Sequence, residues 1–319
     1  MSARPLLALV GPTASGKTEA SIRLAEALGA EIVCVDSMLV YRGMDVGTAK
    51  PSLEHQDRVP HHLLDLAEPA EPFSAATFQR MARAALDEIE VRGLRALLVG
   101  GGGLYYRAVV DGLRFPGTTV GIRSLLQTEA SVLGPEALHG RLAAFDPAAA
   151  DRIDPRNARR IVRALEVAAI TGRAFSAHRE EWDTYAEGVV RAAGIDIPKA
   201  VLQRRIERRV RELMPALLEE TRRLLDRRAG PLLSSSQAIG YAESVACLEG
   251  SIGQEEAAER TARRTKALAR RQMAWLRRDH RVRWFPAGED GAGAIVEDLI
   301  PYLAGAGRSA AVGGLSQEA

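Results

Sequence analysis

The stretch Gly11-Pro12-Thr13-Ala14-Ser15-Gly16-Lys17-Thr18, or GPTASGKT, decides the fold of this 319-residue chain. It matches the pattern of a phosphate-binding loop, in which glycines let the backbone curl so that N–H groups point inward. It follows the apolar run Leu6 to Val10, which predicts a buried strand, and precedes apolar residues at helical spacing up to Leu28. This context predicts that residues 11 to 18 bind phosphate, with Lys17 supplying a charge and Thr18 a hydroxyl for Mg²⁺.

Two further apolar runs extend the predicted sheet. Glu31 to Val35 and Leu94 to Val99 each predict a buried strand, and Phe78 to Val91 predicts a helix leading into the second strand. Strand, loop, helix and strand in this order are typical of a parallel sheet. We therefore predict an α/β fold with a P-loop NTPase-like core.

The pattern changes after Phe115-Pro116. Helices with short turns are predicted until the strand 189–197, and long Arg-rich helices follow over 199–228 and 255–279. A last strand is predicted at 282–285. The sequence thus predicts a mainly helical second part of the chain, in contrast to the alternating strands and helices of the first part.

These patterns predict three regions. The P-loop α/β core comprises residues 1–115 and 195–300, and an all-helical insertion domain occupies 116–194. Residues 301–319 are small and polar at their end, which is typical of a disordered tail.

Composition excludes several classes of protein. Two isolated cysteines suit neither a zinc site nor a disulfide framework, and they fit a reducing cytoplasm. No apolar run approaches the ~20 residues of a membrane span, so we expect a cytoplasmic protein with no membrane partner. Since no stretch resembles an apolar interface, we also expect a monomer with no obligatory protein partner.

Charge is placed unevenly along the chain. Residues 1–100 carry 10 Lys and Arg against 13 Asp and Glu, whereas residues 255–283 carry 10 against 4. This asymmetry suggests a polyanionic partner for the carboxyl-terminal half. A solvated, Arg-rich helix face is the alternative interpretation.

Asp36 is the acid that ends a predicted strand near the loop. The strand 94–99 runs instead into Gly100 to Gly103, without the carboxylate that P-loop ATPases commonly use for Mg²⁺. Ligands of parallel sheets lie beyond the carboxyl ends of the strands, so Asp36 should face the same crevice as Lys17. It could cap the next turn, bind Mg²⁺ or take a proton from an acceptor, and a small-molecule kinase would use such an acid too.

Several stretches, in a fixed order after GPTASGKT, resemble one family, the tRNA dimethylallyltransferases. They are VDSMLVYRGMDVGTAKP (35–51), PHHLLD (60–65), LLVGGGGLYYRAVVDGL (97–113), DPRNARRIVRALEV (154–167), QAIGY (237–241) and the ARRQ of TKALARRQMAWLRRD (265–279). The resemblance covers roughly residues 5 to 287. The P-loop motif alone is unspecific, but its combination with the segments 35–51 and 60–65 is highly specific.

The resemblance implies what the loop holds. In this family the loop binds the diphosphate of dimethylallyl diphosphate, and N6 of adenosine 37, beside the anticodon of tRNAs reading codons that begin with U, attacks the allylic carbon. Asp36 is then the candidate base for the proton of the amine. Lys17, Mg²⁺ and Arg205, which matches a family arginine, would stabilise the leaving diphosphate.

The resemblance also implies contacts with the anticodon stem-loop of the tRNA, whose target base must be turned out to react. The matching positions are Asp36, Ser37, Met38, Leu39, Gly102, Arg123, Arg159, Arg160, Arg163, Gln237, Gly240, Tyr241, Lys266 and Arg270. For Tyr241, local packing is an equal alternative to a contact with tRNA.

One departure from the family pattern concerns Gly102. A threonine is expected there, with its hydroxyl on substrate, but this chain offers only backbone. Two other functions stay open on the sequence alone: a P-loop kinase for a small metabolite, in which Asp36 orients the acceptor, and a non-catalytic RNA-binding protein that kept the loop.

Overall fold

A six-stranded parallel sheet organises the computed structural model, which describes residues 4–227 and 238–305. The strands within these residues are β1 (Leu6–Val10), β2 (Ala30–Cys34), β3 (His61–His62), β4 (Arg95–Gly100), β5 (Val190–Asp196) and β6 (Val282–Pro286). Their order across the sheet is β3-β2-β4-β1-β5-β6. The predicted strands are confirmed within one residue at each end, and the short edge strand β3 was not predicted.

Helices connect these strands and cover the sheet. Those in the described residues are α1 (Lys17–Leu28), α2 (Leu53–Arg58), α3 (Ala75–Val91), α4 (Gly103–Val110), α5 (Val120–Leu133), α6 (Pro135–Phe145), α7 (Pro147–Ala150), α8 (Ala158–Thr171), α9 (Ala177–Trp182), α10 (Lys199–Asp226), α11 (Tyr241–Leu248), α12 (Gln254–Leu276) and α13 (Val296–Ala304). None of these helices is long and apolar enough to cross a membrane.

The central strand β1 is buried on both faces. Leu7 and Leu9 point to one face, where they pack with residues of α1 and α13. Ala8 and Val10 point to the other, where the core includes Phe78 of α3. Burial on both faces is typical of parallel sheets covered by crossover helices, and it explains why the strand sequences are continuously apolar. The predicted P-loop NTPase-like α/β fold is confirmed.

The chain divides into two units, Met1–Asp111 with Glu187–Ala319, and Gly112–Ala186. The second unit is helical in its described residues and contains α5 to α9. It has its own small core, formed by Leu138, Leu142 and Ile161 among others.

Two predicted boundaries differ from the structure. The insertion was predicted to end at 194, but β5 pairs with β1 from Val190 onward, so residues 190–194 belong to the sheet. Small residues at 192–194 weaken the apolar signal of this strand. The tail was predicted from 301, whereas α13 continues to Ala304, because Leu303 is buried under the sheet.

Candidate active site

The site lies at the carboxyl ends of three neighbouring strands. The P-loop follows β1, Asp36 follows β2, and the glycine turn 100–103 follows β4. Because β2, β4 and β1 are adjacent in the sheet, these three segments meet at one edge. The sequence-based prediction that Asp36 and Lys17 share a crevice agrees with this arrangement.

The P-loop curls around an open centre. Ala14 and Gly16 adopt left-handed backbone angles, with φ of 63° and 87°, and Gly16 precedes the first residue of α1. Among the described residues, the N–H groups of Gly16, Lys17 and Thr18 have no protein acceptor. Unpaired N–H groups and the positive end of the helix dipole together favour an anion.

Lys17 lies inside this curl and is half-buried. Its Nζ donates to the carbonyl of Pro12 at 2.7 Å and to Ser15 Oγ at 3.3 Å. The pKa of Lys17 is lowered to about 7, mainly by burial; the charge of Asp36 opposes this shift, and the charge of Arg209 adds to it. The lysine is therefore held in place but short of negative partners, which an incoming anion would supply.

Asp36 is fixed by its own turn. Its Oδ1 accepts a hydrogen bond of 2.8 Å from the N–H of Met38. Burial raises the pKa of Asp36, and this hydrogen bond and the charge of Lys17 act in the opposite direction. A carboxylate with a raised pKa is better matched to accepting a proton near neutral pH than an exposed aspartate.

Arg205 reaches the loop from α10. Its Nε donates to the carbonyl of Ala14 at 2.8 Å, and its Nη1 donates to the carbonyl of Glu289. The structure therefore brings Arg205, Lys17 and the P-loop together.

Gln272 is a residue of the site that was missed. Its Oε1 accepts from the N–H of Thr13 at 2.9 Å, and the residue is buried. Gln272 ends the ARRQ stretch used for the resemblance, so the motif contained it, but nothing in the sequence pointed to the P-loop 259 residues away.

The four glycines 100–103, which begin with the last residue of β4, are not equivalent. A Cβ atom would lie 2.4 Å from the carbonyl oxygen of Val35 at Gly100 and 2.6 Å from Gln272 at Gly101. At Gly103 it would lie 2.7 Å from Trp275. At Gly102 the nearest atom is 3.4 Å away, so a side chain fits there.

The segment after Asp36 is only partly accessible. Ser37 is exposed, whereas Met38 and Leu39 are half-buried and pack against the two cores of the sheet. Of these three predicted tRNA contacts, only Ser37 offers its whole side chain to a partner.

Gly240 and Tyr241 do not face solvent. Tyr241 is 0% exposed and donates from its hydroxyl to Glu220 Oε1 at 2.6 Å. Glu220 Oε2 also accepts from the N–H groups of Asp45 and Val46, each at 2.9 Å. Both residues pack inside the protein, which agrees with the alternative of local packing given for Tyr241, and neither is exposed for a contact with tRNA in this structure. Gln237 lies outside the described residues.

Two arginines of the helical unit that were predicted to contact tRNA form ion pairs with a buried carboxylate. Arg123 and Arg163 both donate to Glu166 Oε2, at 2.7 and 2.8 Å. Glu166 is 0% exposed, and these hydrogen bonds oppose burial and lower its pKa. Arg159 and Arg160 are exposed and have no ion-pair partner among the described residues, so they are the arginines of this group that are available to bind phosphates.

The two residues of α12 that were predicted to contact tRNA also differ in exposure and in ion pairing. Lys266 is half-buried and pairs with Glu207. Arg270 is exposed, and no ion pair is found for it in residues 4–227 and 238–305.

The possible metal ligands near the loop fit a site in which the substrate supplies part of the coordination. No group of three or more His, Cys, Asp or Glu side chains that could hold a metal is found in the described residues. The half-buried hydroxyl of Thr18 has no hydrogen-bond partner there. Mg²⁺ commonly takes few protein ligands and completes its shell with substrate phosphates and water, so the loop fits this ion if a diphosphate is present.

These features define a P-loop α/β protein with an anion site beside the carboxylate of Asp36. The model of the IPP transferase family matches residues 39–279, and the model of isopentenyl transferases matches residues 5–65. Since the first match covers more than half of the chain, the chain belongs to the IPP transferase family.

Individual relatives agree with this assignment. The chain is 46% identical over 314 residues to the tRNA dimethylallyltransferase of Kineococcus radiotolerans, covering 95% of this chain and 98% of the relative. The crystal structure of the full-length tRNA isopentenylpyrophosphate transferase of Bacillus halodurans is similar with a TM-score of 0.68 and 38% identity, covering 95% of this chain and 96% of that one. A eukaryotic dimethylallyltransferase acting on tRNA is similar with a TM-score of 0.74, 90% of this chain and 75% of that chain being covered; at 23% identity it supports the fold alone.

Proposed function

We propose that this protein transfers the dimethylallyl group of dimethylallyl diphosphate to N6 of adenosine 37 in tRNAs that read codons beginning with U. The observation that carries the proposal is the meeting of Lys17, Arg205 and unpaired P-loop N–H groups with one carboxylate, Asp36. Membership of the IPP transferase family supports the choice of substrates. We propose a cytoplasmic location for this activity, because tRNA is its proposed substrate.

The proposed reaction uses each group for one task. The N6 lone pair attacks the allylic C1 carbon, the bond from C1 to the diphosphate oxygen breaks, and diphosphate leaves with its electrons. The amine loses a proton, which Asp36 accepts. Lys17, Arg205 and the P-loop N–H groups stabilise the negative charge that grows on the diphosphate.

Mg²⁺, bound by the Thr18 hydroxyl and by the diphosphate itself, would supply further positive charge for the leaving group. Gly11, Pro12, Thr13, Ala14, Ser15 and Gly16 form the rest of the proposed diphosphate site. The N–H of Thr13 is already bonded to Gln272, so Thr13 contributes to the shape of the loop rather than a free donor.

We further propose that the tRNA is held by exposed cations and by the segment after Asp36. Arg159 and Arg160 of the helical unit, Arg270 and Ser37 have the exposure that contact with an anticodon stem-loop requires. Gly102 would contact the substrate through its backbone.

A labelling assay tests the function. Radiolabelled dimethylallyl diphosphate is incubated with the protein and tRNA, with and without ATP, and label in the tRNA is counted. We expect ATP-independent labelling of tRNA with adenines at 36 and 37, and none when adenine 37 is replaced. Labelling that needs ATP, or that ignores the anticodon sequence, would contradict the proposal; phosphorylation of a metabolite that survives ribonuclease would favour a kinase.

A further inference from the structure

A second arginine of α10 lies on the face that meets the P-loop. Arg209 follows Arg205 by one helical turn, so both side chains leave the same side of the helix. The neighbouring Ile206 and Val210 belong to the small apolar cluster against which Ala14 of the loop packs. This side of α10 therefore faces the loop rather than solvent.

Arg209 has no hydrogen-bond or ion-pair partner in the part of the chain that the structure describes. It is half-buried, and no hydrogen bond or ion pair of its side chain is found within residues 4–227 and 238–305. Its neighbour Arg208 is exposed and lies 3.9 Å from Glu212. A guanidinium that is partly removed from water without hydrogen-bond acceptors is unfavourable, unless an anion joins it.

The charges around Arg209 are of the same sign. Burial lowers the pKa of Arg209 and the charge of Arg205 lowers it further, while Arg209 in turn lowers the pKa of Lys17. These three cations are thus within electrostatic reach of one another, and the single Asp36 carboxylate opposes them at Lys17. Such an excess of positive charge suits a ligand with several negative charges.

We propose that Arg209 is a third cationic ligand of the diphosphate, on the α10 side of the P-loop, beside Lys17 and Arg205. This inference rests on the proposed function, because it assumes that the loop holds a diphosphate. It explains why the charged face of α10 includes an unpaired arginine at a half-buried position.

Calorimetric titration with inorganic pyrophosphate and Mg²⁺ tests the inference on the whole protein without tRNA. Since a hydrogen bond to a charged group contributes about 1.5–3 kcal/mol, we expect Arg209→Gln to weaken pyrophosphate binding roughly ten- to hundredfold. Arg208→Gln, the matched control one residue away, should change it less than about twofold. Arg209→Lys should keep part of the affinity, and circular dichroism melting checks that each variant folds.

The outcomes separate the inference from the proposed function. If the wild-type protein does not bind pyrophosphate, the proposed diphosphate site itself is wrong. If the wild type binds and Arg209→Gln binds equally well, only the role of Arg209 is overturned. Loss of tRNA affinity in Arg209→Gln with unchanged pyrophosphate binding would likewise contradict the inference and favour a phosphate of the tRNA as the partner.

Discussion

Asp36 combines a fixed orientation with a raised pKa, and both follow from its place after β2. The turn gives it the N–H of Met38 as a donor, and the adjoining strands remove it from water. An exocyclic adenine amine is a weak nucleophile, because its lone pair is delocalised into the ring. A base that removes the proton as the bond forms is therefore a large part of the proposed chemistry.

The substitution Asp36→Asn tests this role at nearly constant volume. We expect single-turnover prenyl transfer to slow by roughly 10²–10⁴, since asparagine cannot accept the proton. Affinity for pyrophosphate and for tRNA should be retained, because neither depends on a base. Rapid-quench kinetics and tRNA binding measure the two effects, and an unchanged rate would remove Asp36 from the role of base.

Lys17 predicts a pH dependence of diphosphate binding. Its pKa of about 7 means that the charged form, which binds the anion, dominates below that pH and is lost above it. The ratio of wild-type to Lys17→Met affinity for pyrophosphate should therefore fall as the pH rises from about 6 to about 9. Taking the ratio cancels the titration of pyrophosphate itself, and a ratio that stays constant over this range would contradict the prediction.

At the scale of elements, the glycines at the end of β4 differ in whether packing requires them to lack a side chain. Gly101 must lack a side chain because Gln272 and the backbone of Gly11 come within 2.7 Å of a Cβ there. Gly102 has no such neighbour, although its family counterpart is a threonine. The turn thus tolerates one side chain, at the position that the resemblance assigns to the substrate.

A pair of substitutions in this turn should behave oppositely. Gly101→Ala should lower the free energy of unfolding by about 1–3 kcal/mol, as overpacking commonly does, and weaken pyrophosphate binding through Gln272 and Thr13. Gly102→Thr should leave stability nearly unchanged and keep or raise the rate of transfer. Denaturant unfolding and the labelling assay measure both, and a destabilised Gly102→Thr variant would show that the turn is tighter than the structure indicates.

The elements were largely predictable and the contacts between them were not. Continuous apolar runs located β1, β2 and β4, because parallel strands are buried on both faces. Gln272 and Glu220 escaped prediction, because their partners lie 259 and 174 residues away in the P-loop and at Val46, and helical periodicity carries no information about such pairs. Tyr241 was ambiguous for the same reason, since an aromatic residue beside a turn can pack or be exposed.

At the scale of the whole molecule, the basic residues divide into paired and unpaired sets. Glu166 pairs with Arg123 and Arg163, and Glu207 pairs with Lys266. Arg159 and Arg160 are exposed and have no carboxylate partner among the described residues. Formal net charge of only +2 conceals this division. Unpaired cations are the ones that release counterions when they meet phosphates.

The salt dependence of tRNA binding should report this division. In the double variant Arg159→Ala and Arg160→Ala, the negative slope of log K against log salt should become less steep by about 1.4–1.8, since each phosphate contact contributes about 0.7–0.9. Arg141→Ala is the control, because Arg141 belongs to the same helical unit but pairs with Glu129 at 2.9 Å. Equal slopes for the double variant and the wild type would exclude these arginines from the interface.

The helix α10 has two attachment points to the first part of the chain. Near its start Arg205 binds the P-loop, and near its end Glu220 binds the backbone of Asp45 and Val46. At about 1.5 Å per residue, these two attachment points are roughly 22 Å apart along the helix axis. Adding one residue between them would turn the second attachment point by about 100° relative to the first. The length of one helix therefore sets the spacing between the loop for the leaving group and the backbone of Asp45 and Val46, and natural variation in its length between Arg205 and Glu220 should be suppressed.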